Sequence, residues 1–322
     1  MSARNWKRAG LLALLGIAAL APLVATDFQL FRLTNILIFA IALLGLNILV
    51  GYNGQISLGH GAFYGLGAYA TVMLVAHFGV AHWIAVPIAA AICLAVGFLF
   101  SLPLLRLDTM HLAMATFALG MVLPNVAKYK AVEQWTGGGQ GMGIDVPAVP
   151  FGLPLSFDQW LYLLTLLVLA AAFAFASNLL RGRIGRAARA IRDHPLAAQA
   201  MGIDTVFTKA AIFGISTLLT GTAGALAGLA IGYVGPGMFG IFLSFGLLIG
   251  IAVGGIATLS GAIYGAIFLQ VIFVVVGAGA QALQTWNLHL LYGLVLIVFL
   301  AFNPRGVAGL IDRTWVSMRR RW

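Results

Sequence analysis

Long apolar stretches, each about the length of a membrane-spanning helix, recur along most of this 322-residue chain. Charged residues make up only 8% of the sequence and hydrophobic residues 62%, whereas about a quarter of the residues in a soluble domain are charged. The alternation of polar and apolar positions that a transmembrane β-barrel needs is absent. The sequence therefore predicts an all-α polytopic membrane protein.

The apolar stretches predict about ten transmembrane helices with no soluble domain between them, so residues 1–322 are expected to form a single transmembrane domain. The stretch at 56–76 is rich in glycine and polar residues and could be a broken or re-entrant helix. The first stretch also resembles a signal peptide, but Pro22 would follow the apparent cleavage site, which favours an uncleaved span. The predicted spans are 9–26, 33–50, 56–76, 83–105, 109–127, 158–180, 207–232, 241–258, 261–278 and 287–303.

Basic residues are concentrated before the first apolar stretch, in one connecting segment, and after the last apolar stretch. These places hold 14 of the 18 Lys and Arg residues, and the positive-inside rule assigns such segments to the cytoplasm. Ten spans then put both termini and a coupling loop at 181–209 in the cytoplasm, and a loop at 128–157 in the periplasm. Nucleic-acid binding is not expected, because no soluble domain carries a basic face. The clustered residues are Arg4, Lys7, Arg8, Arg181, Arg183, Arg186, Arg189, Arg192, Lys209, Arg305, Arg313, Arg319, Arg320 and Arg321.

The eight acidic residues all lie in predicted loops or at span ends, whereas proton-driven carriers place a carboxylate within the membrane. Sodium coupling through backbone carbonyls stays open. The sequence has no catalytic or metal-binding motif, and Cys93, the single cysteine, offers neither a disulfide nor a cysteine-based metal site. We therefore expect no catalytic residue, no metal and no cofactor bound by this chain. Because a Walker motif is also missing, any ATP and Mg²⁺ would bind to partner subunits.

Residues 51–70, GYNGQISLGHGAFYGLGAYA, combine six glycines with polar side chains between apolar flanks. Irregular backbone within a membrane must be sheltered by protein or must line a cavity, so this stretch is a candidate for the translocation path. Its polar residues could instead only cap a junction between two helices, and both interpretations stay open. The candidate path residues are Asn53, Gln55, Ser57, His60, Phe63 and Tyr64.

Glycines spaced four residues apart occur in several of the apolar stretches. This spacing forms a smooth helix face, which lets the backbones of neighbouring helices approach closely within lipid. We therefore expect a tightly packed helical bundle. The glycines concerned are Gly61 and Gly65; Gly224, Gly228 and Gly232; Gly246, Gly250 and Gly254; and Gly261 and Gly265.

The connecting segment between the sixth and seventh predicted spans reads RGRIGRAARAIRDHPLAAQAMGID over residues 181–204. Arginines at every third position predict a basic stripe along a helix. A second, short helix should follow, with Asp193 or His194 as its cap and Gly202 at its end. Its small residues, above all Ala198, could fit a cleft in a partner, although a basic loop that binds lipid headgroups is the alternative. The candidate coupling residues are Arg186, Arg189, Asp193, His194, Pro195, Ala198 and Gly202.

Five segments of the chain resemble, in the same order, LivM-type permeases, which are the membrane subunits of branched-chain amino acid ABC importers. The resemblance implies a bundle similar to the vitamin B12-type (type II) importer permease, located in the bacterial inner membrane. It also implies a second similar permease, two cytoplasmic ATP-binding subunits and a periplasmic substrate-binding protein as partners. His194-Pro195 differs from the family, which often has Asn or His followed by Glu. The matching segments are GYNGQISLGHGAFYGLGAYA, TGGGQG, GRAARAIRDHPLAAQAMGI, IAVGGIATLSGAIYGA and LYGLVLIVFLAFNPRG.

The function that this resemblance implies is ATP-driven import of branched-chain or other hydrophobic amino acids. Selectivity in such systems lies largely in the binding protein, so related substrates stay open: urea, short amides, nucleosides or sugars. An ion-coupled carrier that acts alone is the alternative from another class. A membrane-embedded enzyme is disfavoured, because the sequence has no catalytic motif.

Overall fold

The computed structural model describes residues 16, 18–104, 109–145, 147–152, 154–282 and 306–309. Most of these residues are helical, and a π-helical turn at Ile48–Tyr52 extends the first long helix. An antiparallel pair joins β1 (Met142–Gly143) to β2 (Tyr233–Val234). The helices are α1 (Asp27–Asn47), α2 (His60–Phe78), α3 (His82–Leu104), α4 (Thr109–Ala127), α5 (Glu133–Thr136), α6 (Phe157–Arg181), α7 (Arg183–Asp193), α8 (Pro195–Ala200), α9 (Thr205–Ile231), α10 (Ile241–Gly254) and α11 (Leu259–Ala282).

Five helices of the described chain are long and apolar enough to cross a membrane, namely α1 with its π turn, α2, α3, α6 and α9. The pair α10 and α11 is bent by 120° and would supply a sixth crossing if it counts as one span. The prediction of an all-α polytopic membrane protein is therefore confirmed. Part of the predicted first span, 9–26, and all of the last, 287–303, lie outside the described residues, so the count of ten stays a prediction.

The predicted span 241–258 differs from the structure. α10 has only 14 residues, which corresponds to a rise of about 21 Å, less than the roughly 30 Å thickness of the hydrocarbon core. The chain then turns at residues 255–258, where Ala257 has a φ of +61°. α10 by itself is therefore too short to cross a bilayer.

α9 is the central helix of the bundle and packs against α1, α2 and α3. Its small residues permit this packing, because a Cβ added at Gly224 would overlap the carbonyl of Tyr64 on α2. A Cβ at Gly254 on α10 would likewise overlap the carbonyl of Gly261 on α11. The predicted close approach through glycine faces is confirmed at these contacts, whereas Gly246 has no neighbour within 4 Å.

The chain passes back and forth between two ends of the bundle. α1 and α6 begin side by side, where the hydroxyl of Ser156 lies 3.5 Å from the carboxylate of Asp27. At the same end, the ring of Phe78 stacks on Trp135 with a centroid separation of 6.0 Å. We call this end, which carries residues 128–157 and the β1–β2 pair, the sheet end. α1 and α6 finish at the opposite end, the connector end, where α7 and α8 lie.

Candidate translocation and coupling sites

The polar residues of the 51–70 stretch lie between two helices. The π turn ends at Tyr52, and α2 runs without a break from His60 to Phe78, so the irregularity precedes α2. Gly54 has a φ of +73°, a left-handed conformation that lets the chain leave the helix where a residue with a Cβ would be strained. We call residues 53–59 the polar link. It lies near the connector end, because α1 finishes there.

His60 holds the polar link against α1 and α9. Its Nδ1 lies 2.8 Å from Ser57 Oγ, and its Nε2 lies 2.7 Å from Ser216 Oγ. Ser216 donates its hydroxyl hydrogen to the carbonyl of Gly45 at 2.7 Å, so towards His60 it can only accept. This assigns the proton to Nε2 and makes Nδ1 the acceptor for Ser57. Ser57 and His60 therefore form a satisfied network that orients the link.

Hydroxyl groups from two further helices bind the backbone around the link. The amide of Leu58 donates to Thr116 Oγ1 of α4 at 3.0 Å, and the amide of Gly61 donates to Ser244 Oγ of α10 at 2.9 Å. Irregular backbone within a membrane protein needs such partners, because lipid offers none. Sequence reasoning missed Thr116, Ser216 and Ser244. Their only signal was a hydroxyl side chain in an apolar helix, which is common in membrane proteins.

Asn53 and Gln55 differ from the other polar residues of the link. Both are buried, with exposed fractions of 3% and 4%. Both polar atoms of the Asn53 amide, and the Oε1 atom of Gln55, have no hydrogen-bond partner within the described chain. An unpaired buried polar group costs about 1–3 kcal/mol, so this arrangement favours any conformation in which these amides gain partners.

Phe63 and Tyr64, the two aromatic candidates for the path, lie in the packed interface around α2. The ring of Phe63 packs edge-on against Phe213 of α9, with centroids 5.8 Å apart. The ring of Tyr64 lies 6.4 Å from Phe39 of α1 and 6.1 Å from Phe239. Both side chains are buried, so they line no open channel in this conformation.

Asn47 joins the end of α1 to the turn between α10 and α11. Its Nδ2 donates to the carbonyl of Thr258 at 2.7 Å, and its Oδ1 accepts from the amide of Ala257 at 2.9 Å. The side chain thus satisfies a donor and an acceptor that the interruption between the two helices leaves free. Sequence reasoning did not select Asn47, because an asparagine in an apolar helix carries no indication of its partner.

We call residues 181–209 the connector. Two of its arginines bind backbone carbonyls, which the predicted basic stripe did not include. Arg186 Nη1 donates to the carbonyl of Arg181 at 2.8 Å, and Arg189 Nη2 donates to the carbonyl of Leu180 at 2.9 Å. These carbonyls belong to the last turn of α6, which has no further amides to pair with them. The two predicted coupling arginines therefore fasten α7 to the end of α6.

α8 matches the predicted short helix in its position and its end. Pro195 occupies the first turn, and Gly202 has the left-handed φ of +79°. The amide of Gly202 donates to the carbonyl of Gln199, and the amide of Ile203 donates to that of Ala198, which is the bonding pattern of a Schellman motif. The expected side-chain cap is wrong, because His194 stands at the N-cap without a capping hydrogen bond. The carboxylate of Asp193 instead accepts hydrogen bonds from Arg192.

The surface of α8 differs from the expected face of alanines at its central residue, Ala198. Ala198 is 4% exposed and packs within this chain, whereas Leu196 and Met201 are 81% and 83% exposed. The helix contacts both α7 and α9, and Ala198 is its buried residue. The surface available to a partner therefore carries two large apolar side chains beside the exposed Ala197 and Ala200.

Long apolar helices, packed through glycine contacts around a buried polar link, define a multi-pass α-helical membrane protein. Residues 29–300 match the family model described as the permease component of the branched-chain amino acid transport system, so the chain belongs to this permease family.

Similar proteins include the high-affinity branched-chain amino acid transport system permease proteins LivM of Salmonella typhimurium and of Escherichia coli K12. Each is 29% identical to this chain, with 92% of this chain and 74% of the relative covered. BraD of Pseudomonas aeruginosa, a permease protein with the same description, is 26% identical, with 84% of this chain and 91% of the relative covered. No solved structure matches the chain.

The chain is therefore the permease subunit of an ABC importer, a transporter subunit and not in itself an enzyme. A permease of this kind works with ATPase and binding-protein components. The relatives and the apolar helices together indicate a multi-pass protein of the inner membrane.

Proposed function

We propose that this chain forms part of the translocation path of an ATP-driven, binding-protein-dependent importer for branched-chain or other hydrophobic amino acids. The family match over residues 29–300 carries the proposal, and the descriptions of the LivM and BraD relatives support the substrate class. A second, similar permease, two cytoplasmic ATP-binding subunits and a periplasmic substrate-binding protein would complete the transporter. ATP and Mg²⁺ would bind to the ATP-binding subunits, and this chain would bind neither a cofactor nor nucleic acid.

The proposed topology is a single ten-span domain of the type II importer kind, with both termini in the cytoplasm of a bacterial cell. Residues 128–157 would face the periplasm and the connector would face the cytoplasm. The clustering of basic residues supports this orientation, because 14 of the 18 Lys and Arg residues would then lie on the cytoplasmic side. The separation of the sheet end from the connector end agrees with it.

Within this path, Asn53 and Gln55 would contact the permeating substrate or its water when the bundle opens. The observation behind this assignment is that both polar atoms of the Asn53 amide and Oε1 of Gln55 are buried without partners in the part of the chain that the structure describes. Ser57 and His60 would hold the link in place, since their hydrogen bonds are already satisfied. Phe63 would reach the path only if α2 separates from α9, and Tyr64 only if its ring separates from Phe39 and Phe239.

Coupling to an ATP-binding subunit is assigned to the connector. Leu196 and Met201 are large exposed apolar side chains of α8 and its end, and such residues fit a cleft in a folded partner. Ala198 would contribute indirectly, because its small buried side chain lets α8 pack closely on the rest of the chain. Arg186 and Arg189 would transmit movement of α7 to α6, because their hydrogen bonds hold the two helices together.

Uptake by the reconstituted transporter tests the proposed function. The chain would be purified with its co-expressed neighbours, and ATP-dependent uptake of labelled leucine, isoleucine and valine would be measured in vesicles with the binding protein present. Unlabelled urea, short amides, nucleosides and sugars would serve as competitors. Transport by this chain alone, independent of ATP, would contradict the importer assignment, and competition by a non-amino-acid would contradict only the substrate class.

Cysteine labelling in intact cells tests the orientation. Gly139 is a suitable probe position in the 128–157 loop, because a Cβ there meets no atom within 4 Å. Met201 is the matched probe in the connector, since it is 83% exposed. A membrane-impermeant maleimide should modify Gly139→Cys and not Met201→Cys, and Cys93 should add little background because it is buried. The opposite pattern would reverse the topology.

A further inference from the structure

Arg192, at the end of α7, reaches across to the π turn that follows α1. Its Nη1 atom donates to the carbonyl of Gly51 at 2.7 Å. Its Nε and Nη2 atoms both donate to Asp193 Oδ1, at 3.1 and 3.0 Å. The carboxylate thus fixes the plane of the guanidinium and directs the remaining nitrogen at Gly51.

The carbonyl of Gly51 needs a partner because the helix ends irregularly. The amide of Gly54 donates to the carbonyl of Val50, and the amide of Gln55 donates to that of Leu49, so these amides do not pair with Gly51. A helix C-terminus also carries a partial negative charge, which favours a cation at this position. Arg192 therefore supplies both the hydrogen bond and the charge.

Gly51 is held from its other side as well. A Cβ at this residue would overlap Asn47 Oδ1 and the amide nitrogen of Ala257. Gly54 lies against the aliphatic part of Arg192, with a built Cβ only 2.9 Å from Cγ. The π turn is thus confined between the connector and the turn of residues 255–258. π turns inside helices are frequently found at functional sites.

We propose that Arg192 is a positioning residue for transport, which transmits movement of the connector to the π turn and hence to the polar link. The inference rests on the proposed function. When an ATP-binding subunit displaces α8 and α7, the Arg192–Gly51 hydrogen bond pulls on the end of α1. That movement changes the surroundings of Asn53 and Gln55, which immediately follow the π turn and gain partners when the link opens.

The test compares uptake with ATP hydrolysis in vesicles that contain the complete transporter. Arg192→Gln should assemble and hydrolyse ATP but move less substrate, so that the ATP used per substrate rises about fivefold or more, the lower end of usual coupling effects. Asp193→Asn should also raise the ATP used per substrate, but by a smaller factor. Arg192→Lys should give a value between those of Arg192→Gln and the wild type. Arg183→Gln is the matched control, because it removes the same charge from an exposed position of the same helix. Its ratio should equal that of the wild type.

Several results would overturn the proposal. They are an unchanged ratio in Arg192→Gln, an equal shift in Arg183→Gln, or a parallel loss of hydrolysis and uptake that indicates a structural role only. Hydrogen exchange of residues 48–59 in the assembled complex supplies a readout independent of the substrate. ATP should change the exchange of this segment in the wild type and not in Arg192→Gln, and equal responses would again exclude the link. If ATP changes the hydrogen exchange of residues 48–59 in the wild-type complex but the complex imports no amino acid, the proposed function is contradicted. The comparison of hydrogen exchange between the wild type and Arg192→Gln remains valid in that case.

Discussion

The two buried asparagines near the end of α1 should respond with opposite signs to replacement by leucine, an apolar residue of similar volume. The amide of Asn47 is paired on both sides, with the turn at residues 257–258. The amide of Asn53 has no partner in the described chain, although it is equally buried. The pair therefore separates the effect of an amide from the effect of its hydrogen bonds.

The expected magnitudes follow from the cost of an unpaired buried polar group, about 1–3 kcal/mol. Asn53→Leu removes such a group and should stabilise the observed conformation by about this amount. Asn47→Leu leaves one amide and one carbonyl without partners, and should destabilise it by about 1–3 kcal/mol for each. A bias of 1–3 kcal/mol towards a closed conformation corresponds to about a 5- to 150-fold loss of the open one. Asn53→Leu should therefore reduce uptake although the protein becomes more stable.

Thermal unfolding of the purified complex in detergent and uptake in vesicles check this prediction together. The unfolding temperature should rise for Asn53→Leu and fall for Asn47→Leu. A fall for Asn53→Leu would mean that its amide is already paired, and the structural basis of the path assignment would be lost. A rise with unchanged uptake would mean that the amide has no part in transport. Gln55→Met offers a second measurement of the same kind.

Three further predictions concern other contacts. Ser216→Ala leaves Nε2 of His60 without its acceptor, so it should lower the stability of the complex by about 1–3 kcal/mol in the same thermal assay, and an unchanged unfolding temperature would contradict the assigned network. Gly202→Val forces a β-branched residue into a left-handed conformation and should weaken co-purification of the ATP-binding subunits, whereas full recovery would show that the end of α8 is not needed for assembly. Leu196→Asp should reduce the same co-purification without lowering the unfolding temperature of the isolated chain, because this side chain is exposed; normal assembly would exclude the proposed docking face.

Several local features could be read from the sequence because their causes are local. The helical spans follow from runs of apolar residues, since only a helix satisfies its own backbone in lipid. Gly202 could be assigned as the end of α8 because a left-handed residue after a short helix favours glycine. The close contact at Gly224 follows from the spacing of small residues along one face. Each of these depends on chemistry within a few turns of the chain.

The orientation of Ala198 could not be predicted, because it depends on which face of α8 meets α9. The small side chain suited contact with a partner and contact within the chain equally well, and the structure has the second. The role expected of Asp193 failed for a similar reason. A carboxylate beside a helix start is a reasonable cap, but here the neighbouring guanidinium of Arg192 binds it.

The sequence by itself determined that this protein is a bundle of membrane-crossing helices with a polar interruption near residue 53, since lipid permits few alternatives for apolar chain of this length. Only the tertiary structure decided which polar groups find partners. His60 meets Ser57 and also Ser216, which lies 156 residues beyond it, while the Asn53 amide and Oε1 of Gln55 are buried without partners among the described residues. Hydrogen bonds between distant segments depend on how helices pack, and packing is set by the whole bundle and not by any one segment of it.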